Sequence, residues 1–133
     1  MFVHACHCTW CQRESGSICA TNALIETDRI KVTGDVTHVL LPSNSGKGQE
    51  VARCPGCGVT LWSHYGTLRR KLAFLRVGTL DEPADCPPDV HIFTSTKLPW
   101  VILPESVPAY PEYYHTSDLW PAESIARRAA LIG

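Results

Sequence analysis

The chain has 133 residues, of which 44% are hydrophobic, and its charges nearly cancel, with Lys+Arg 12 against Asp+Glu 13. This length fits one domain, and the composition is that of a packed globular protein rather than a disordered one. The balanced charge argues against nucleic acid as a main partner, because binding to a polyanion depends on an excess of positive charge. We therefore predict a single domain over residues 1–133.

The apolar runs are short. A membrane helix needs about 20 apolar residues, whereas Val101–Leu103 is bounded by a proline on each side. The first residues carry no basic stretch followed by a long apolar run, which a secretory signal has. These features predict a cytoplasmic protein that does not associate with membranes.

Short runs of β-favouring residues alternate with turn signals along the chain as far as Ser95, a pattern typical of antiparallel strands. The segment 42–48 is polar and glycine-rich, and it joins two of these runs, so we predict a hairpin loop there. The predicted strands are 17–25, 30–33, 36–41, 49–54, 59–64, 72–77 and 90–95. The fold is therefore predicted to be mostly β.

The sequence becomes rich in proline after Ser95. Four prolines between Pro99 and Pro111 exclude a regular helix, so this stretch is predicted to run extended over the surface. Pro121 suits the first turn of a helix and Glu123 lies near its positive end, so we predict a short C-terminal helix from 121 to about 131. Three aromatic residues are predicted to hold the proline-rich stretch in place: Tyr110, Tyr113 and Tyr114.

Seven cysteines, an odd number, argue against a disulfide framework and favour metal ligands or reactive thiols. The run Cys54-Pro55-Gly56-Cys57-Gly58 is typical of a zinc knuckle, since the two-residue gap and the glycines allow a tight turn that presents both thiolates to one ion. A redox Cys-x-x-Cys motif is the rival interpretation. That motif normally opens a helix, whereas the residues after Gly58 are typical of a strand. We predict that Cys54 and Cys57 bind metal.

A second cluster, Cys6-His7-Cys8-Thr9-Trp10-Cys11, contains three thiols within six residues. In an extended chain Cys6 and Cys8 lie on one side, and a following turn can bring Cys11 back, so the three sulfurs can meet at one zinc ion.

The five sulfurs can be divided in two ways. Cys8, Cys11, Cys54 and Cys57 form two Cys-x-x-Cys pairs that can close a purely structural four-thiolate zinc site. Alternatively, the first three cysteines hold one zinc whose fourth position stays open, and Cys54 and Cys57 belong to a separate site. Three protein ligands and a vacancy are what a catalytic zinc needs.

The remaining candidates are given structural interpretations. Cys19 and Cys86 have no spaced partner and are predicted to pack as small apolar residues. His7 is predicted to form a hydrogen bond behind the ligands, and His91 to lie in the core or a groove wall. Two tryptophans are predicted to cover a metal site as core residues or to wall a groove: Trp10 and Trp62.

The sequence resembles the glutathione-dependent formaldehyde-activating enzyme family, which includes centromere protein V. The resemblance rests on residues 6–17, 54–58, 77–81, 91–93 and 97–100, in this order. It implies a β-tent of small antiparallel sheets, a reactive zinc on Cys6, Cys8 and Cys11, and a structural zinc shared by Cys54 and Cys57 with an N-terminal Cys-x-Cys strand. Family members usually begin with that strand, whereas Met1 here lies just before the second motif. The chain is therefore expected to lack it, and a homodimer through the uncovered edge is an open alternative.

A zinc ion on three thiolates is a poor Lewis acid for carbonyls but holds a soft thiolate well. The resemblance implies a zinc-dependent carbon–sulfur lyase of the S-(hydroxymethyl)glutathione synthase type, which acts on adducts of glutathione-type thiols with small aldehydes. Arg13 is the predicted contact for the substrate's carboxylates, with Lys97 and Arg53 as weaker candidates. The alternatives are a non-catalytic zinc module that binds a partner protein, and a thiol–disulfide redox protein.

Overall fold

The computed structural model describes residues 1–66 and 68–133. The prediction of a mostly β fold with a short C-terminal helix is confirmed. The regular elements are β1 (Phe2–Cys6), α1 (Thr9–Ser15), β2 (Ala20–Glu26), β3 (Thr37–Leu41), β4 (Gln49–Arg53), β5 (Thr60–Tyr65), β6 (Leu72–Arg76), β7 (Val90–Ile92), α2 (Thr116–Leu119) and α3 (Ala122–Ile132).

The seven strands of the described residues belong to one sheet in the order β3-β4-β5-β6-β2-β1-β7. Neighbouring strands pair antiparallel except at one edge, where β7 runs parallel to β1. The sequence patterns predicted only antiparallel pairs of strands. Nothing in the residues of β7 indicates that it pairs parallel to β1. In this parallel pair Ile92 lies beside Cys6, so β7 is next to the cysteine cluster.

The larger core lies on one face of the sheet. Phe2, Leu24 and Leu72 are at most 7% exposed, and Tyr114 and Trp120 from the C-terminal region pack with them. The rings of Phe2 and Trp120 stack with centroids 5.3 Å apart. A smaller cluster on the opposite face contains three buried residues: Ala52, Trp62 and Ala73.

The C-terminal predictions agree with the structure. Helix α3 begins at Ala122 and ends at Ile132, and its Arg127 forms a bidentate ion pair with Glu26 of β2 at 2.8 and 2.6 Å. The proline-rich stretch before it is extended, and its backbone bonds to β7, since the His91 N–H donates to the Pro108 carbonyl at 2.9 Å. Within the described residues, no helix has the length and apolar character needed to cross a membrane.

The hairpin loop predicted over residues 42–48 is confirmed, because it joins the antiparallel strands β3 and β4. The strand predicted over residues 30–33 is wrong. After β2 a single 3-10 turn over Thr27–Arg29 redirects the chain, and Ile30 packs onto the smaller core instead of pairing with a neighbour.

Candidate functional site

The cysteine cluster lies where β1 ends and α1 begins. Cys6 is the last residue of β1, Cys8 is the extended N-cap of α1, and Cys11 is buried within that helix. The Cys11 N–H donates to the Cys8 Sγ at 3.3 Å, so the cap that starts the helix also fixes the position of two ligands relative to each other. Sequence reasoning predicted a turn after Cys8 and missed the helix, because Thr9–Ser15 has no apolar periodicity.

The three Sγ atoms lie within 4.8 Å of one another. Among the described residues, they form the one group of three or more His, Cys, Asp or Glu side chains with this spacing. Since a Zn–S bond measures about 2.3 Å, two sulfurs on one ion lie no more than about 4.6 Å apart. The sulfurs therefore lie at about the separation that a single zinc ion requires, so the cluster could hold one ion.

Hydrogen bonds among the three thiols shift the pKa values of Cys8 and Cys11 in opposite directions. Hydrogen bonds from the thiols of Cys11 and Cys6, followed by backbone N–H groups at the start of α1, lower the pKa of Cys8 to about 2. The pKa of Cys11 is raised by its hydrogen bonds to the other two sulfurs and by burial. The lowered pKa of Cys8 favours its thiolate form. Three sulfur donors that lose their protons to a soft divalent cation make a donor set of the kind zinc prefers.

His7 fixes the backbone between the first two sulfurs. Its side chain is 1% exposed, and its Nε2 lies 2.9 Å from Nδ1 of His91. Its carbonyl oxygen accepts hydrogen bonds from Gln12 Nε2 at 2.8 Å and from Thr96 Oγ1 at 3.0 Å. As predicted, His7 forms a hydrogen bond behind the cysteines and His91 is buried, and neither ring belongs to the sulfur cluster.

A cavity of about 450 Å³ opens beside the cluster, and all three cysteines line it. The floor is the face of the sheet that carries His4 and Asn22, which pair across β1 and β2. Aromatic residues form much of the wall: Trp10, Tyr65, Phe74, Phe93 and Tyr113. Its volume is within the range of cavities that bind small molecules.

Two polar residues of the floor were missed by sequence analysis, because only strand pairing brings them to the cysteines. His4 Nε2 and the hydroxyl of Tyr114 form a hydrogen bond at 2.5 Å, and that hydroxyl accepts a hydrogen bond from Trp120 Nε1. Burial lowers the pKa of His4 to about 4, so the ring is neutral at pH 7. Asn22 is 4% exposed, and its Oδ1 has no hydrogen-bond partner among the described residues.

A sequence profile of the family described as glutathione-dependent formaldehyde-activating enzyme matches residues 1–96. The chain belongs to this family. The match covers β1 to β7, and therefore all five cysteines that were predicted to bind metal.

The second motif of this formaldehyde-activating family member lies apart from the cluster, in the turn between β4 and β5. The Gly58 N–H donates to the Cys54 carbonyl at 2.8 Å and closes the turn. Backbone N–H groups of Cys57 and Gly56 lower the pKa of the Cys54 thiol. In the part of the chain that the structure describes, Cys54 and Cys57 do not join the group of three. The four-thiolate alternative is therefore not formed, and metal binding by this pair stays a prediction.

The predicted cations are not brought into the cavity. Arg13 is exposed on α1, and neither it nor Arg53 nor Lys97 is among the described residues that line the cavity. The Lys97 ammonium donates instead to the carbonyl of Val101 at 2.6 Å. Contact between Arg13 and a substrate carboxylate stays a prediction.

The two tryptophans have different roles. Trp10 lines the cavity, and its Nε1 donates to Gln49 Oε1 at 2.7 Å. Trp62 is 8% exposed and belongs to the smaller core. Cys19 and Cys86 are partly buried and lie outside the sulfur cluster.

Proposed function

We propose that this protein is a carbon–sulfur lyase of the formaldehyde-activating type, which adds a small thiol of the glutathione kind to a small aldehyde and reverses that reaction. The observation that carries the proposal is that Cys6, Cys8 and Cys11 lie together and line one cavity, in a chain whose family is named for this activity. In the addition, the thiol sulfur forms a bond to the carbonyl carbon, the carbonyl π bond breaks, and the thiol proton ends on the product's hydroxyl oxygen.

Zinc is the ion we propose for the three sulfurs. When bound, it supplies a soft electrophilic site at which a visiting thiol is kept deprotonated at neutral pH. The chain's own contribution is to hold Cys6, Cys8 and Cys11 in place through β1 and the cap of α1. Because the sulfurs must stay reduced to bind metal, we propose a reducing compartment, the cytoplasm.

Asn22 is the residue we assign to the reacting oxygen. Its amide is buried at the cavity floor, and its Oδ1 lacks a partner among the described residues. A buried polar group without a partner is costly, so a ligand that completes its hydrogen bonds is favoured. The amide nitrogen can donate to the aldehyde oxygen, and Oδ1 can accept the hydroxyl hydrogen of the adduct. Both contacts orient the carbonyl carbon toward the thiol.

Exchange NMR measures this activity directly, because the protein should accelerate interconversion of glutathione and its S-hydroxymethyl adduct in the presence of formaldehyde. Cys8→Ser should abolish the acceleration and lower the zinc content, whereas Cys19→Ser, outside the cluster, should change neither. Asn22→Ala should slow exchange by about 100-fold with thiol binding retained. Its neighbour on the same strand provides the control Thr21→Ala, which should leave the rate unchanged.

Two outcomes would contradict the proposal. Zinc bound by the wild-type protein without any acceleration of exchange favours the non-catalytic zinc module, in which the metal serves the fold and a partner protein binds the surface. Reversible oxidation of Cys54 and Cys57 in a protein that binds no metal favours the redox alternative.

A further inference from the structure

Five aromatic residues line the cavity beside the sulfur cluster: Trp10, Tyr65, Phe74, Phe93 and Tyr113. Tyr65 and Phe74 pack edge to face with ring centroids 4.7 Å apart. Phe93 and Tyr113 form a second pair in the lining, with ring centroids 6.4 Å apart. Such surfaces favour ligands that bury apolar or aromatic groups against them.

No cation lines this cavity in the described part of the chain, and one carboxylate does. The carboxylate is Glu112, exposed at the rim and held by a hydrogen bond from Ser95 Oγ at 3.0 Å. Arg76 and Arg128 lie near Tyr65 and Tyr113, but neither lines the cavity, and the Arg76 guanidinium is paired with Glu14. The other polar groups of the lining are hydroxyl, amide, thiol and imidazole groups.

A negatively charged ligand therefore meets an unfavourable field. Three thiolates around a divalent ion carry a formal charge of −1, and the Glu112 carboxylate adds a second negative charge at the entrance. A carboxylate that enters such a space loses water and finds no opposite charge, which is costly. Glutathione has two carboxylates and one ammonium group, so it is a poor electrostatic match for this lining.

We infer that the preferred thiol of this site is uncharged and carries an apolar or aromatic body, in preference to glutathione itself. The inference rests on the proposed function, because it concerns which thiol occupies the position beside Cys6, Cys8 and Cys11. The sulfur of the ligand faces the cluster, its body packs between the aromatic walls, and Asn22 remains free for the oxygen of the aldehyde.

Calorimetric titration of the zinc-loaded protein with three thiols tests this inference. The probes are phenylmethanethiol, glutathione, and glutathione diethyl ester, in which both carboxylates are masked. Phenylmethanethiol should bind at least 10-fold more tightly than glutathione, and the diethyl ester should bind more tightly than the free tripeptide. Glutathione that binds as well as phenylmethanethiol would overturn the inference and leave the proposed function intact. If no thiol binds, both fail.

A charge reversal at Glu112 measures how much the charge at the cavity rim contributes to the choice of thiol. Glu112→Lys should raise the affinity for glutathione about 5- to 10-fold and change that for phenylmethanethiol less than twofold. Glu105→Lys makes the same charge change at an exposed residue that does not line the cavity, and it should leave both affinities unchanged. An equal effect of both variants on glutathione would mean that net charge, and not the cavity rim, governs selection.

Discussion

Gln12 connects the backbone between two sulfurs to the loop after β7. Its Nε2 donates to the carbonyl oxygens of His7 at 2.8 Å and of Thr96 at 2.9 Å. Gln12→Ala removes this donor from both carbonyls, so we expect the free energy of unfolding to fall by about 1–2 kcal/mol. Zinc affinity should fall about 10-fold, as is typical when a group that orients a ligand is lost. Urea unfolding and competition with a chromophoric chelator measure the two quantities.

The neighbouring residue supplies the control. Arg13 is exposed, so Arg13→Ala should change the free energy of unfolding by no more than about 0.5 kcal/mol and leave zinc affinity unchanged. Equal effects of the two variants would show that Gln12 does not hold the cluster. The same Arg13→Ala protein tests the predicted contact with substrate carboxylates, because its glutathione affinity falls only if that contact exists.

At the scale of elements, α1 is fixed to the sheet by a buried ion pair. Glu14 of α1 contacts Arg76 of β6, and their side chains are 4% and 11% exposed. Two of the nitrogens of Arg76, Nε and Nη1, have no partner among the described residues. The guanidinium therefore depends strongly on the one carboxylate it contacts.

Glu14→Gln leaves that guanidinium buried without its counter-charge, so we expect a loss of about 3 kcal/mol in the free energy of unfolding. Because α1 carries Cys11, the zinc content should fall as well. Glu123→Gln removes the same charge from an exposed residue of α3 and should change stability by less than about 0.5 kcal/mol. Similar unfolding midpoints for the two variants would contradict the anchoring role of Glu14.

The C-terminal helix has an anchor of its own that responds to acid. The hydrogen bond from Arg127 lowers the pKa of Glu26 from 4.5 to about 2. A carboxylate whose pKa is depressed in the folded state stabilises the fold above its unfolded pKa, and this contribution disappears as the pH falls through the folded value. The wild-type melting temperature should therefore fall between about pH 4.5 and pH 2 more steeply than that of Glu26→Gln. Parallel curves for the two proteins would contradict this role.

Considered as a whole molecule, the fold was predictable where the information is local. Six of the seven predicted strands, the hairpin loop over residues 42–48 and the helix predicted from 121 to about 131 follow from turn residues and proline positions, and the structure has them. The strand predicted over residues 30–33 is absent, and β1 was not among the predicted strands. The parallel pairing of β7 with β1 was not predictable, since it joins residues nearly 90 positions apart. Helix α1 was missed because a cysteine caps it, and Cys8 is not a residue that normally signals a helix start.

The candidate site, like the fold, has a part that was predictable from local sequence and a part that was not. Its sulfurs are close in sequence, so spacing alone predicted that they meet. Its cavity is assembled from five strands, helix α1 and several loops that are distant in sequence, and so Asn22 and His4 carry no local signal of their role. Arg13 shows the converse, since it is next to the cluster in sequence and yet does not line the cavity.

The most direct test of the central claim counts the sulfurs around the metal with and without a thiol. We would use zinc-loaded Cys54→Ser/Cys57→Ser protein, in which the second motif cannot contribute, and zinc X-ray absorption as the measurement. We expect three sulfurs and one lighter ligand in the protein alone, and four sulfurs after phenylmethanethiol is added. Four sulfurs before the thiol is added, or three that do not change after either phenylmethanethiol or glutathione is added, would contradict a metal centre that receives a substrate thiol.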